Sequence, residues 1–175
     1  KGVGSGAVAT IVEKRKDGKY KSIFDLTKRI DLRAANKKAL ENLALAGGFD
    51  SFTGTTRAQY FHDDGDGITF YEKAIRYGSK FQENENSSQV SLFGESSDVQ
   101  IAEPVVPPCE DWSTMEKLAK EKEVVGIYIS GHPLDDFRFE MKYFCNAKLE
   151  ALKNMELHVG KTLSFGGIIN NVQHR

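Results

Sequence analysis

No apolar run in these 175 residues approaches the ~18–20 needed to cross a bilayer, so the helical membrane-protein class is excluded. The first residues lack the apolar core of a signal peptide, and no leader is expected. Cysteine is almost missing. Cys109 and Cys145 are the only two, far apart and without Cys-x-x-Cys spacing, which argues against a zinc site or a disulfide framework. The plain reading is two free thiols in a reducing cytoplasm. No Walker A loop and no cluster of paired carboxylates for two metals occurs. Ser130-Gly131-His132-Pro133-Leu134 brings a Ser and a His together. Neighbours in sequence do not form a nucleophile–base pair by spacing, so a helix junction is the better reading. Asp135 and Asp136 then act as first-turn acids facing a helix dipole. A catalytic site is therefore not expected in this stretch.

What is present is ordinary in amount and uneven in placement. Apolar residues make up 39% and charged residues 28%, as in a soluble chain of one domain or two small ones. Residues 1–50 carry 11 Lys and Arg against 6 Asp and Glu, a net of +5. Residues 82–123 carry 3 against 10, a net of −7. A basic start and an acidic middle suit different partners, unless each is only a solvated face. The chain starts without Met and ends at Arg175 in a strand-like stretch, so a piece of something longer is expected.

The first segment reads as helices joined by tight turns. Ala7, Val8, Ile11 and Val12 share a helical stripe that Gly18 ends. Ser22-Ile23-Phe24-Asp25 resembles a capping box for a short helix to about Arg29. Asn36 reads as an N-cap for a helix with Ala39, Leu40, Leu43 and Ala44 on its apolar side, stopped by Gly47-Gly48. Thr56 can cap the next helix. Residues 62–67 read as a turn. As a calcium loop begun at Asp64 they fail, because Ile68 and Ile75 stand where oxygen ligands are needed. The pattern predicts a helix from Thr69 to about Phe81. From 82 to 112, Glu, Asn, Ser and then Pro104, Pro107 and Pro108 remove the periodicity and predict a linker. Ser113 and Glu116 form a capping box for a helix with Met115, Leu118, Ala119, Val125 and Ile129 on one face, ended by Gly131. Pro133 opens another helix to about Phe144. Gly160 marks a turn, and Leu163 to Val172 is β-prone, with a bend at Gly166-Gly167.

Two motifs carry binding chemistry. Lys1-Gly2-Val3-Gly4-Ser5-Gly6 lets the backbone turn sharply just before a helix, whose free N–H groups and dipole favour a phosphate. Lys1 adds charge and Val3 can anchor the turn. This is the physics of a helix-hairpin-helix element, which grips DNA by its backbone without reading sequence. An ordinary glycine turn is the plain alternative. A second, degenerate copy follows at Gly47-Gly48-Phe49-Asp50-Ser51-Phe52, where Asp50 would repel phosphate and Phe49 and Phe52 would pack inward. Lys37 and Lys38, at a helix start, either reach DNA or are solvated. The other motif is Gln89-Val90-Ser91-Leu92-Phe93, set in the polar linker. Gln89 could hydrogen-bond at a pocket edge while Leu92 and Phe93 enter it, or the pair could dock on the parent fold.

These pieces, in this order, resemble the alpha (catalytic) subunit of bacterial DNA polymerase III, the C-family replicative polymerase. The resemblance rests on Lys1-Gly2-Val3-Gly4, Ser22-Ile23-Phe24-Asp25-Leu26, Asn36-Lys37-Lys38-Ala39-Leu40-Glu41 and Ala46-Gly47-Gly48-Phe49-Asp50. It continues through Gln89 to Phe93 and from Glu121 to Asp135, the most family-specific stretch. It implies a mainly α fold. Residues 1–60 are expected as a tandem helix-hairpin-helix-like DNA-binding domain, 61–81 as a helical extension and 82–112 as a linker bearing a clamp-binding peptide. Residues 113–160 are then a helical connector and 161–175 a truncated first strand of an OB-like domain. Sequence-independent contact with double-stranded DNA is implied at Lys1, Gly2, Val3, Gly4, Ser5, Gly6, Lys37 and Lys38. Docking of the ring-shaped sliding clamp (the beta subunit) is implied at Gln89, Val90, Ser91, Leu92 and Phe93. The palm aspartates, and with them the Mg2+ and the nucleotidyltransferase activity, belong to the parent polymerase and not to this stretch. Other replicase subunits are reached through the parent, in the bacterial cytoplasm and without a membrane. The resemblance implies that the hairpin's first helix would stand before Lys1. The alternatives are a helix-hairpin-helix segment of a DNA-repair or recombination protein, and a purely structural connector.

Overall fold

A computed structural model describes residues 1–90, 101–169 and 172–174, with the side chains of residues 87–90 excepted. It contains two compact units, Lys1–Tyr128 and Ile129–Arg175, which cut across the divisions expected from sequence.

The first unit is built of helices whose starts are written locally. Helix α1 (Ser5–Arg15) follows the glycine turn and buries Ala7, whereas Val8 and Val12 of the expected stripe stay exposed. Helix α2 (Ile23–Arg29) is capped by Ser22, whose hydroxyl accepts from the Asp25 N–H at 3.1 Å. The Asp25 carboxylate reaches back one residue further than a capping box, to the N–H of Lys21 at 2.9 Å. Helix α3 (Lys37–Leu45) is capped by Asn36 through the Ala39 N–H at 3.0 Å. Helix α4 (Arg57–Phe61) has a reciprocal capping box between Thr56 and Gln59.

Helix α5 (Phe70–Val90) is the spine of the unit. It runs nine residues past the predicted end at Phe81, so the linker expected from 82 begins as helix. The residues from 82 on lack an apolar face but are compatible with a solvated helix. Gln82 also fixes that end by donating to the carbonyls of Thr27 at 2.8 Å and Ile30 at 2.9 Å, which satisfies acceptors left over by α2. The core lies where α2 meets α5. Phe24 packs edge-on against Phe70 and Tyr77, with ring centroids 5.7 and 5.4 Å apart. The stretch expected as a helical extension thus contributes Phe70, Tyr71, Ala74 and Tyr77 to the core.

The helices touch so closely because Gly78 has no side chain. A Cβ there would sit 2.6 Å from the Thr27 carbonyl oxygen. Helix propensity alone favours Gly→Ala by about 1 kcal/mol. Backbone overlap costs about 1–3 kcal/mol and can only be relieved by parting the helices. Gly78→Ala is therefore expected to lower the thermal midpoint; an unchanged or raised midpoint would show that α2 and α5 are not packed this tightly.

The second half of the expected linker also packs. Ile101 and Val106 lie against the core, Pro107 accepts from Gln59 Nε2 at 2.9 Å, and Trp112 stacks on Phe61 at 5.3 Å. Proline-rich backbone hides these anchors from any periodicity search. Helix α6 (Thr114–Val125) has the predicted Ser113–Glu116 capping box. It ends at Val125, with Gly126 at φ +98, and not at Gly131. Its buried face is Leu118, Glu121 and Val124; Met115, Val125 and Ile129 of the expected face are exposed. A carboxylate occupies the core side, which apolar periodicity cannot reveal.

The second unit has no apolar core of its own: among its described residues only Pro133 is buried. A 3₁₀ turn (Asp135–Phe137) leads into helix α7 (Arg138–Tyr143), close to the predicted helix from Pro133. His132 is part of that turn: its N–H donates to Asp135 Oδ2 at 2.7 Å and its Nδ1 accepts from the Leu134 N–H at 3.1 Å. A kinked 3₁₀ segment (Leu149–His158) follows. Residues 161–169 are irregular and no strand is formed by the described residues. Asn146 holds this stretch, accepting from the Ser164 N–H at 2.8 Å and donating to the Thr162 carbonyl at 3.0 Å. A β-prone sequence becomes a strand only when another strand satisfies its ladder.

Candidate nucleic-acid interface

The glycine turn before α1 is held from α3. Gly2 has φ +74, a conformation that costs a side-chain-bearing residue dearly. A Cβ there would also lie 2.2 Å from Nδ2 of Asn42. That amide, 6% exposed, donates to the Lys1 carbonyl at 2.9 Å and so pins the turn. Val3 packs against the core, as expected of an anchor. Gly4 is the N-cap of α1 and offers no side chain to its N–H groups. The first return bond runs from the Val8 N–H to the Gly4 carbonyl at 3.1 Å, so the N–H groups of Ser5, Gly6 and Ala7 have no intrahelical acceptor. No acidic residue stands in the first turn. A Cβ at Gly4 would meet nothing within 4 Å, and Lys1, Gly2, Gly4, Ser5 and Gly6 are exposed. The polarity of an uncapped, unshielded helix start favours an anion.

Of the two lysines expected beside it, Lys38 is near. Its Cγ lies 3.9 Å from where a Gly2 Cβ would be, one helical turn from Asn42 on α3. Its ammonium pairs with Glu41 at 3.0 Å. Lys37 instead pairs with Glu72 of α5. The bond from Lys37, followed by those from Thr69, pulls the Glu72 carboxyl down to about 2. A depressed acid contributes stability in full above its ordinary value of 4.5, and that contribution fades as pH falls toward 2. Lys37→Met is expected to return the Glu72 titration toward the ordinary carboxylate range, read by NMR. A Glu72 titration unmoved by the substitution would mean that Lys37 is free for another anion.

The second glycine turn is closed to anions. Gly47, at φ +78, has the Arg57 guanidinium 2.2 Å from its would-be Cβ. Arg57 Nε and Nη2 donate to the Asp50 carboxylate at 2.9 and 2.6 Å, and Nη1 donates to Glu121 Oε1 at 2.7 Å. Both carboxylates hold the Arg57 charge, with Asp50 the larger influence, and its ordinary value is raised. The start of α4 is used internally as well, by Thr56 and by Asp111, which accepts from the Ala58 N–H at 3.5 Å. Phe49 and Phe52 stack at 5.6 Å in the core, as expected. Asn42 and the Arg57–Glu121 pair had no place in the sequence reading. Asn42 interrupts an apolar stripe, a signal that could have been used; Glu121 lies 64 residues from Arg57 and gave none.

The acidic turn at 62–67 already has its cation. Lys73 Nζ lies 3.0 Å from both Asp64 and Asp66, and the latter's carboxyl is lowered chiefly by that bond. Gln89 and Val90 are the last two residues of α5, while Ser91, Leu92 and Phe93 fall outside the described residues.

Residues 1–60 match the helix-hairpin-helix motif family. The chain is similar to DNA polymerase III subunit alpha of Campylobacter jejuni, 40% identical over 96% of this chain and 13% of that protein. It is 31% identical to the same subunit of Treponema pallidum over 95% of the chain and 15% of that protein. With the Escherichia coli K12 subunit it shares 29% identity over 97% of the chain and 14% of that protein. The chain thus spans about one-seventh of the length of these relatives. Similarity that runs through both units, with a match to the helix-hairpin-helix motif family over residues 1–60, shows that the chain belongs to the DNA polymerase III alpha-subunit family.

Proposed function

We propose that this chain is a non-catalytic segment of a bacterial DNA-directed DNA polymerase that holds duplex DNA by its phosphates and docks the sliding clamp, so that the polymerase stays on its template. The observation that carries the DNA reading is the open start of α1: three N–H groups without intrahelical acceptors, a pinned glycine turn and no acid in the first turn. The groups at the turn are backbone, which suits a ligand repeated at every nucleotide and independent of base identity. In this reading catalysis, with its Mg2+, takes place elsewhere in the cytoplasmic polymerase. Gln89 to Phe93 supplies a second tether, and two weak tethers on one polypeptide raise each other's effective concentration. A repair or recombination protein is disfavoured by the similarity of both units to one polymerase subunit.

Gly4→Asp separates binding from folding. Aspartate is at least as good an N-cap as glycine, and the position is open, so stability is expected to hold. Its carboxylate would take the N–H groups and repel phosphate. Duplex affinity is expected to fall tenfold or more, with a salt slope shallower by about one, measured by titrating binding against salt. A folded Gly4→Asp protein that binds as before would remove the turn from the interface.

A further inference from the structure

The far end of α1 carries more unused positive charge than the glycine turn itself. Residues 14–21 contain 5 Lys and Arg and a single Asp. Lys14, Arg15, Lys19 and Lys21 are all exposed, and none makes an ion pair among the described residues. Lys37 and Lys38, by contrast, are both paired with carboxylates. The array is built and not left to chance. The Asp17 and Gly18 N–H groups turn back onto the Lys14 and Arg15 carbonyls at 3.3 and 3.1 Å. Arg29, itself paired with Asp25 at 3.2 Å, reaches under the turn to donate to the Gly18 carbonyl at 2.9 Å and to that of Lys14. The one aromatic residue, Tyr20, lies beneath Arg29 at 4.5 Å and donates to the Ile11 carbonyl at 2.7 Å. The turn therefore shows cations and no apolar anchor, which suits a phosphodiester backbone better than a membrane surface.

We propose that Lys14, Arg15, Lys19 and Lys21 form a second nucleic-acid phosphate-binding surface, at the opposite end of α1 from the glycine turn. The ten steps of helix between Ser5 and Arg15 separate the two by about 15 Å, so the surface meets phosphates other than those at the turn. The ligand class is the backbone of a DNA strand. The proposal rests on the DNA-binding reading of this chain, and its test distinguishes the two.

The test is the slope of log affinity against log salt for the full chain and three variants on one 30-base-pair duplex. The surface variant is Lys14→Gln/Arg15→Gln/Lys19→Gln/Lys21→Gln. A charge control, Lys142→Gln/Lys148→Gln/Lys153→Gln/Lys161→Gln, removes the same charge from the second unit. The turn variant is Gly4→Asp. Circular dichroism checks that each is folded; if the fourfold surface variant is not, Lys19→Gln/Lys21→Gln takes its place. The surface variant is expected to lose about 2–4 from the magnitude of the slope, at ~0.9 per phosphate contact, with at least tenfold weaker binding at 100 mM salt. The control is expected to change the slope by less than about one. An unchanged slope in the surface variant, or an equal change in the control, overturns the second surface and leaves the turn reading standing. An effect of the surface variant with none from Gly4→Asp supports the surface and removes the turn. No binding by the unaltered chain overturns both.

Discussion

Arg57→Met is expected to destabilise the first unit by about 3–5 kcal/mol, the cost typical of removing one partner from a buried ion pair. Arg57 is 5% exposed and Glu121 is fully buried, so the substitution withdraws a guanidinium from a carboxylate that water cannot reach. Asp50, whose side chain is 50% exposed, can be rehydrated and contributes little to the loss. A second substitution, Glu121→Gln, should recover part of the stability, because a buried amide costs less than a buried carboxylate. The four proteins of this cycle, unfolded in urea, should show a coupling of 1 kcal/mol or more. Additive losses would mean that Arg57 and Glu121 do not join the second glycine turn to α6.

The second large effect concerns the peptide. Leu92→Ala with Phe93→Ala is expected to abolish binding to the cognate sliding clamp, while Gln89→Ala weakens it less. Burying a Leu and a Phe contributes roughly 1.5–3 kcal/mol each. The costs of association leave a short peptide modest net affinity, so losing both anchors exhausts it. Calorimetry with the isolated clamp decides the matter. An affinity unchanged by the double substitution would sink the docking role. Because Leu92 and Phe93 are remote in sequence from the glycine turn, duplex binding should be untouched, and the two tethers can be tested apart.

What could be read from sequence was what is settled locally. Ser22, Asn36, Thr56 and Ser113 cap the helices they were expected to cap, because a cap is satisfied within three residues. Gly2 and Gly47 have positive φ, in keeping with the sharp turn expected at the first and the helix stop expected at the second. Long-range partners were hidden. The face of α6 was misplaced because Glu121 reads as a solvent residue until Arg57 is brought to it. The end of α5 was set too early because its last turns have no apolar side and owe their footing to Gln82 and the carbonyls of α2. Proline-rich residues 101–112 looked like free linker because Ile101, Val106 and Trp112 anchor without period. The same blindness affected the interface. Lys37 and Lys38 looked available for phosphate, and only the fold shows Glu72 and Glu41 already holding them.

The role of this chain as a sequence-independent backbone grip on duplex DNA is tested most directly by equilibrium binding of the chain to two duplexes of unrelated sequence across a salt series. The account predicts equal affinities and a slope of about −2 or steeper for both, since at least two phosphates are neutralised at ~0.9 each. A flat salt response, or a tenfold preference for one sequence, would contradict it.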